Sequence, residues 1–175
     1  MGGGVRQYTL TFTDPFGLCP GVPGSGNTPC ALIAAVFSEL SNTAHHQGLE
    51  AMGIAWTIVN RALDHDRGHV FHNSGNAAAD VTRQATSSQI QGTGNSQYSL
   101  ATEHMESGAP LPDEATQAKF DLVVRAASVV YNRQVPDPTH RSVFMDHGST
   151  MPPSNTCGAK IVVTLGEAQF SACTR

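Results

Sequence analysis

The sequence contains no long run of apolar residues and no clustering of positive charge. No apolar stretch approaches the roughly 20 residues that a membrane-spanning helix needs, so we expect no insertion into a membrane. The 10 Lys and Arg residues are scattered and outnumbered by 14 Asp and Glu, which gives a net charge of −4 and no basic stripe for nucleic acid. The start of the chain also lacks the basic-then-apolar layout of a signal peptide. If the protein acts outside the cytoplasm, we therefore expect another carrier to export it.

The chain does contain enough residues for one ordinary domain, together with a small set of cysteines. A length of 175 residues allows a single core that needs no metal or partner. The four cysteines lie near the two ends of the sequence, at Cys19, Cys30, Cys157 and Cys173. Such an arrangement is compatible with disulfides formed in an oxidising compartment. Buried free thiols explain the same pattern equally well, so the pairing and the redox state stay open.

Residues 1–29 differ in composition from the rest of the chain. Residues 8–12 alternate in the manner of a β-strand, and residues 14–29 are rich in Gly and Pro, which is typical of a linker. Thr28 and Pro29 then indicate a helix start, since a Thr hydroxyl caps free amides and Pro suits the first helical position. We therefore predict a linker over residues 19–29 and a folded domain over residues 30–175.

Helical periodicity dominates this domain. A first helix follows Pro29, and a second is predicted from about residue 47 to residue 63. A third opens at Pro112 and Asp113 and ends near Arg133, before two prolines. The core-facing stripe of the second helix consists of Leu49, Met52, Trp56, Val59 and Leu63.

The remaining segments are predicted to be loops and short strands. Residues 64–99 are polar, with a short helical or strand-like piece near residues 77–84, and we expect this loop to form a wall of a cleft. Two short strands are predicted near residues 142–145 and 160–165. The expected fold is thus mainly α, of the α+β class, with a small β region and long polar loops.

Glu39 occupies an unusual place in the first predicted helix. Its spacing from Leu32, Ala35 and Val36 puts the carboxylate on an otherwise apolar face. Removal of water from around a carboxylate raises its pKa and keeps it protonated, which is what a general acid needs. Protonation of a glycosidic oxygen requires such an acid. A helix-edge glutamate paired with a basic residue would show the same spacing.

Four short motifs follow one another along residues 31–153. The first two are F-S-E-L at residues 37–40 and G-L-E-A-M-G-I-A-W-T-I-V-N-R at residues 48–61. The third is Q-Y-S at residues 97–99, and the fourth is D-P-T at residues 137–139, followed by Val143, Phe144 and His147. In this order the motifs resemble those of the spore-cortex-lytic, SleB-like cell wall hydrolases.

The resemblance implies a lysozyme-like helical fold and cleavage of the β-1,4 bond between N-acetylmuramic acid and N-acetylglucosamine. In the family a single Glu first protonates the leaving oxygen and then acts as a base, usually releasing an anhydromuramyl product as a lytic transglycosylase. By position Glu39 carries this role, and we expect no metal or cofactor. The implied substrate-binding residues are Gln97, Tyr98, Ser99, Asn60, Thr139 and His147.

The chain departs from the family pattern directly after Glu39. The usual small residue followed by Arg-Gly-Glu is replaced by L-S-N-T-A-H-H at residues 40–46, so different contacts with the sugar chain are expected. Tyr98 is expected to stack on a sugar ring or stabilise positive charge at the anomeric carbon, or else to pack in the core. Asp137 is expected to cap a turn and not to take part in the chemistry.

A second resemblance lies in the N-terminal segment. The string D-P-F-G-L at residues 14–18 comes just before the change in composition and the helix start. It resembles the boundary that ends the RHS-repeat core of polymorphic toxins, where self-cleavage after the Leu frees a C-terminal toxin. The resemblance implies that residues 1–18 end such a core and that Asp14 and Leu18 are processing residues. On its own the pentapeptide indicates no more than a tight turn.

A toxin of this kind implies partners and a place of action. The substrate would be peptidoglycan in the periplasm or cell wall of a target bacterium. A cognate immunity protein is expected to block the cleft. The RHS core and a secretion apparatus, for which we expect a type VI system, would deliver the toxin, and no nucleic acid partner is expected.

Other functions remain open. A Cys-His peptidoglycan amidase or peptidase would use Cys30, at a helix start that lowers a thiol pKa, with His147 as base. A metal-dependent nuclease would need a metal site, but the available residues match no standard zinc spacing. Its ligands would come from Asp64, His65, Asp66, His69 and His72. A non-catalytic wall-binding module would share the cleft and show no turnover.

Overall fold

The fold consists of helices followed by a small antiparallel sheet. The computed structural model describes residues 18–19, 21–42, 46–63, 74–86, 96–147 and 159–173. Within them the helices are α1 Cys30–Glu39, α2 Gln47–Leu63, α3 Ala77–Ala85, α4 Ser96–Ser107 and α5 Glu114–Tyr131, and the strands are β1 Phe144–His147, β2 Lys160–Leu165 and β3 Ala168–Ala172. The prediction of a mainly helical α+β fold is confirmed.

Helix α1 is the central element of the core. Its apolar sequence leaves every side chain from Leu32 to Phe37 buried, and the helix contacts each of α2, α3, α4 and α5. Full burial of a large aliphatic or aromatic side chain is worth about 1.5–3 kcal/mol, so α1 is held from all sides. Its C-terminal residue, Glu39, is only partly buried. A rigid helix therefore presents Glu39 at the edge of the core.

The start of α1 lies within one residue of its predicted position, but the predicted cap is wrong. Pro29 occupies the N-cap position, which carries no side-chain capping bond. The Thr28 hydroxyl is buried and has no hydrogen-bond partner among the described residues. The Thr28 backbone instead belongs to the preceding turns, because its carbonyl accepts from the Cys19 amide at 3.1 Å and its amide donates to Ser25 at 3.0 Å.

Helix α2 has the predicted bounds but a wider buried surface than one stripe. Ala51, Ile54 and Ile58 are buried in addition to Trp56. The interpretation of Leu49 as a core residue is wrong, since 44% of it is exposed. The first turn of α2 directs Glu50 to the interior instead, where the side chain is fully buried.

Two elements of the fold were not predicted from the sequence. Helix α4 buries only Ala101 and Met105, which is a thin stripe in a polar segment, and it is held by packing against α1. Strand β3 lies in the middle of the sheet, in the order β1-β3-β2, with antiparallel pairing on both sides. Its Phe170 packs so closely on α2 that a Cβ placed on Gly53 would lie 2.6 Å from the Phe170 ring.

The segment interpreted as a linker packs against the helical core. A disulfide joins Cys19 to Cys30, and residues 21–27 form a series of turns. Cys19 and Ser25 are buried. Cys173 is also disulfide-bonded, whereas Cys157 lies outside the described residues, as do Asp14 and the strand predicted at residues 8–12.

We expect the double variant Cys19→Ser/Cys30→Ser to be less stable than the parent chain. The disulfide spans a sequence separation of 11 residues, and loss of a link across a loop of this size costs about 3 kcal/mol on the chain-entropy model. Urea unfolding followed by circular dichroism measures the difference. An unchanged midpoint would show that the turns of residues 21–27 hold this segment without the disulfide.

Candidate active site

Glu39 lies where burial favours the protonated form of its carboxyl. It is the last residue of α1, and burial raises the pKa of its carboxyl, an effect that the nearby charges of His147 and Arg61 partly offset. The C-terminal end of a helix also disfavours a negative charge, because the last carbonyl groups point toward it. Glu39 can therefore donate a proton in conditions where an ordinary glutamate would already be ionised.

Arg61 supplies a fixed positive charge beside Glu39. Only 8% of the residue is exposed, and its Nε donates to the Val143 carbonyl at 2.5 Å. Burial lowers the pKa of Arg61 to about 10, with Glu39 acting in the opposite direction. The guanidinium thus remains charged near neutral pH and ties α2 to the segment leading into β1.

Glu50 is a second carboxylate near this position, and it was not predicted. Its side chain is fully buried. Its oxygens accept from the Ser41 amide at 3.0 Å, the Ser41 hydroxyl at 2.8 Å and the Glu167 amide at 3.3 Å. These bonds connect α2 to the loop after α1 and to the turn between β2 and β3, which makes Glu50 a junction of three chain segments.

His147 lies close to Glu50 and is electrostatically coupled to Glu39. It ends β1 opposite Ala168 of β3, and 32% of its side chain is exposed. Its Nδ1 is 4.0 Å from Oε1 of Glu50, and its protonated form lowers the pKa of Glu39. The sheet therefore brings a solvent-accessible imidazole to the end of α1.

Lys119 holds the chain directly after Glu39. Its Nζ donates to the Leu40 carbonyl at 2.9 Å and to Oδ1 of Asn42 at 3.1 Å, and it lies 4.8 Å from the centre of the Phe37 ring. Burial lowers the pKa of Lys119, and the charge of Glu50 acts in the opposite direction. A lysine from α5 thus fixes the backbone at the end of α1, where helix carbonyls otherwise lack partners.

Asn60 and Thr139, two of the predicted substrate-binding residues, belong to a network around Asp137. The Asn60 amide donates to Oδ2 of Asp137 and to the Ser142 carbonyl, both at 3.0 Å. Thr139 is fully buried, and its hydroxyl donates to Oδ1 of Asp137 at 2.6 Å. Asp137 also accepts from the Arg141 amide at 2.8 Å. Asp137 thus caps a turn, as the sequence predicts, and the network fixes the start of β1 against α2.

We expect Asp137→Asn to destabilise the protein at neutral pH and much less near pH 3. Burial alone would raise the pKa of Asp137, but the bonds from Thr139, Asn60 and Arg141 outweigh it, and the net pKa is lowered. The stability gained from this ionised carboxylate is present above its unfolded pKa and is lost as pH falls through the folded value. Loss of charged hydrogen bonds of this kind costs about 2 kcal/mol. Chemical unfolding at both pH values measures it, and an equal loss at both would contradict this account.

Gln97, Tyr98 and Ser99 lie in the first turn of α4, which packs along α1. Ser99 is exposed, and Gln97 is partly buried. Tyr98 packs against the core, and burial, with a smaller effect from Glu106, raises its pKa. Electrostatic coupling links Glu39 to Arg61 and His147, whereas these α4 residues stay predictions as substrate contacts.

The structure bears differently on each of the alternative sites. Cys30 is disulfide-bonded to Cys19, so it has no thiolate to act as a nucleophile in this state. The candidate nuclease ligands at residues 64–72 lie outside the described residues. Within the described part of the chain, no group of three or more His, Cys, Asp or Glu side chains is arranged to hold a metal ion. Leu18, at the predicted processing point, forms an isolated β-bridge with Pro29.

Comparison with known proteins adds no relative. No family model matches the chain, and neither the curated proteins nor the solved structures contain a match. Among the described residues, no helix is both long enough and apolar enough to cross a membrane.

A spacing signal for Glu50 does exist in the sequence. Glu50, Ile54, Thr57 and Arg61 repeat at intervals of three and four residues, so they share one face of α2. A solvent-exposed helix face does not usually carry apolar residues between two charged ones, so this pattern indicates a buried face. An acidic residue in the first turn is also favoured by the helix dipole, and this ordinary explanation hides the signal.

Proposed function

We propose that this protein is an enzyme that cleaves the glycan strands of peptidoglycan, with Glu39 as its general acid. The observation that carries the proposal is the position of Glu39 at the end of the buried helix α1, where burial raises its pKa. A protonated carboxyl at the edge of a rigid core is what cleavage of a glycosidic bond needs at the leaving oxygen. The motif resemblance to SleB-like hydrolases assigns the same residue on independent grounds.

The reaction starts with transfer of the Glu39 proton to the oxygen between N-acetylmuramic acid and N-acetylglucosamine. The C1–O bond breaks as positive charge develops on the sugar ring. The Glu39 carboxylate formed in this step is then stabilised by the charge of Arg61 and by His147 in its protonated form. The site thus favours the protonated acid before the reaction through burial and its conjugate base afterwards through charge.

The wider proposal is a lysozyme-like toxin domain carried by a larger secreted protein. The D-P-F-G-L string at residues 14–18 supports processing from an RHS-type core, and disulfides such as Cys19–Cys30 suit action in an oxidising compartment such as the periplasm of a target cell. Delivery by a type VI apparatus and inhibition by an immunity protein follow from the same resemblance. Gln97, Tyr98 and Ser99 are the proposed contacts to the sugar chain on the α4 side.

Mass spectrometry of purified peptidoglycan digested with the full chain tests this function. Anhydromuropeptides would identify a lytic transglycosylase, and muropeptides with reducing ends would identify a hydrolase. Cleaved stem peptides in place of cleaved glycan would overturn the proposal. Because Cys30 is disulfide-bonded, the double variant Cys19→Ser/Cys30→Ser should retain glycan cleavage at a temperature where it remains folded.

A further inference from the structure

We propose that His147 is a second catalytic residue of this site, the base that takes the proton of the attacking nucleophile, and that Glu50 is the positioning residue that orients its ring. The inference rests on the proposed function and deepens it. It divides between Glu39 and His147 the acid and base roles that the family resemblance gives to a single Glu.

Glu50 is a fully buried carboxylate with surroundings that fit it. A carboxylate that is removed from water costs several kcal/mol unless it is paired or hydrogen-bonded. Ser41 and Glu167 supply such bonds. Gly166 keeps the space open, because a Cβ at that position would lie 2.1 Å from Oε2 of Glu50. Several chain segments are thus shaped around one buried carboxylate.

Glu50 approaches His147 from the Nδ1 side of the ring. The distance of 4.0 Å between Nδ1 and Oε1 is longer than a hydrogen bond, and such contacts often shorten when substrate binds. A carboxylate on this side favours the tautomer with its proton on Nδ1. The lone pair of a neutral imidazole is then on Nε2, on the far side of the ring from Glu50. With 32% of the side chain exposed, His147 can reach a bound nucleophile.

Glu39 and His147 have different surroundings. Glu39 is partly buried, and burial raises its pKa, whereas His147 is open to solvent at the end of a strand. Acid and base roles separate when the surroundings of two neighbouring groups differ in this way. Two further charged groups are coupled to the glutamates, Arg61 to Glu39 and Lys119 to Glu50.

The proposed step balances without any further reactant except water or the substrate itself. Glu39 gives its proton to the leaving oxygen, which keeps the electron pair of the broken C1–O bond. The nucleophile, either water or the C6 hydroxyl of the muramic acid, forms a new bond to C1. Its proton passes to Nε2 of His147. Solvent then returns a proton to Glu39 and removes one from His147.

Chemical rescue separates this role from a structural one. We expect His147→Ala to lower kcat for glycan cleavage by about 100-fold or more, the usual contribution of a general base, with a small change in KM. Added imidazole should restore part of the rate in proportion to its concentration. The control is His140→Ala, an exposed histidine in the turn before β1, which should lose no activity and gain nothing from imidazole.

Glu50→Gln completes the test. It keeps the shape of the side chain and removes its charge, so kcat should fall without abolishing binding to peptidoglycan, which is measured by sedimentation. If the variant does not fold, the His147→Ala rescue alone decides the question. Full activity of His147→Ala, or a loss that imidazole does not restore, would overturn the inference while leaving Glu39 as the acid. Absence of glycan cleavage by the parent chain would instead overturn the proposed function.

Discussion

Glu39→Gln is expected to remove glycan cleavage while leaving the fold intact. The amide keeps the size of the side chain at the end of α1 but cannot deliver a proton to the leaving oxygen. Loss of a general acid costs about 10²- to 10⁴-fold in rate. Release of soluble muropeptides from purified peptidoglycan measures this loss. An exposed glutamate on α4, changed as Glu103→Gln, is the matched control and should retain full activity.

The same substitution is expected to stabilise the protein at neutral pH. Because burial raises the pKa of Glu39 above its ordinary value of 4.5, the folded state holds a proton that the unfolded state releases. The stability of the parent chain therefore falls as pH rises from about 4.5 through the folded pKa. Gln has no such penalty, so Glu39→Gln should melt at a higher temperature near pH 7 and at the parental temperature near pH 3.

These two readouts together make the assignment of Glu39 decisive. A catalytic acid at a strained electrostatic position trades stability for activity. A glutamate whose ionised form is held by structural ion pairs or hydrogen bonds would instead lose stability on substitution. Undiminished cleavage by Glu39→Gln would remove Glu39 from the mechanism, whatever the melting temperature showed.

The sequence predicts elements whose own periodicity is strong. Helices α2 and α5 lie close to their predicted bounds, and the Asp113 side chain caps α5 by accepting from the Thr116 amide at 2.7 Å. Helix α4 and strand β3 were missed because packing against α1 and pairing with β1 and β2 decide their conformation. Such long-range contacts override weak local preference.

The residues of the candidate site differ in the same way, since some are recognisable from local sequence and others depend on distant contacts. Glu39 could be predicted because a charged residue on an apolar helix face is visible in a single segment. The role of Glu50 could not, since its partners come from Ser41 and from the turn at Glu167, which is more than 100 residues away along the chain. The tight fit of Gly166 against Glu50 is visible only once the sheet has been placed against α2.

Gly166→Ala is expected to be the most damaging small substitution in the sheet. Gly166 begins the two-residue turn between β2 and β3 with a φ of 62°, a backbone conformation that glycine adopts without strain. An Ala there pays about 1–2 kcal/mol for the left-handed backbone. Its Cβ would also lie 2.1 Å from Oε2 of Glu50, so either the turn or the carboxylate must move.

Movement of either group breaks bonds to a buried charge, each worth about 1.5–3 kcal/mol. We therefore expect a total loss of about 3 kcal/mol or more from Gly166→Ala, measured by urea unfolding. Gly108→Ala isolates the backbone contribution, because Gly108 has a φ of 69° and a Cβ there would meet nothing within 4 Å. This control should lose only about 1–2 kcal/mol.

A double-mutant cycle tests whether the rest of the destabilisation by Gly166→Ala, beyond the backbone cost, comes from the clash with Glu50. In a Glu50→Ala background the carboxylate that collides with the new methyl group is gone, so Gly166→Ala should cost little more than Gly108→Ala does. Coupling of this size is expected only for groups in direct contact. Equal costs in the two backgrounds would mean that the turn rejects a side chain for reasons of its own and that Glu50 does not depend on the space at Gly166. A strong coupling would show that the β2–β3 turn forms the pocket that holds Glu50.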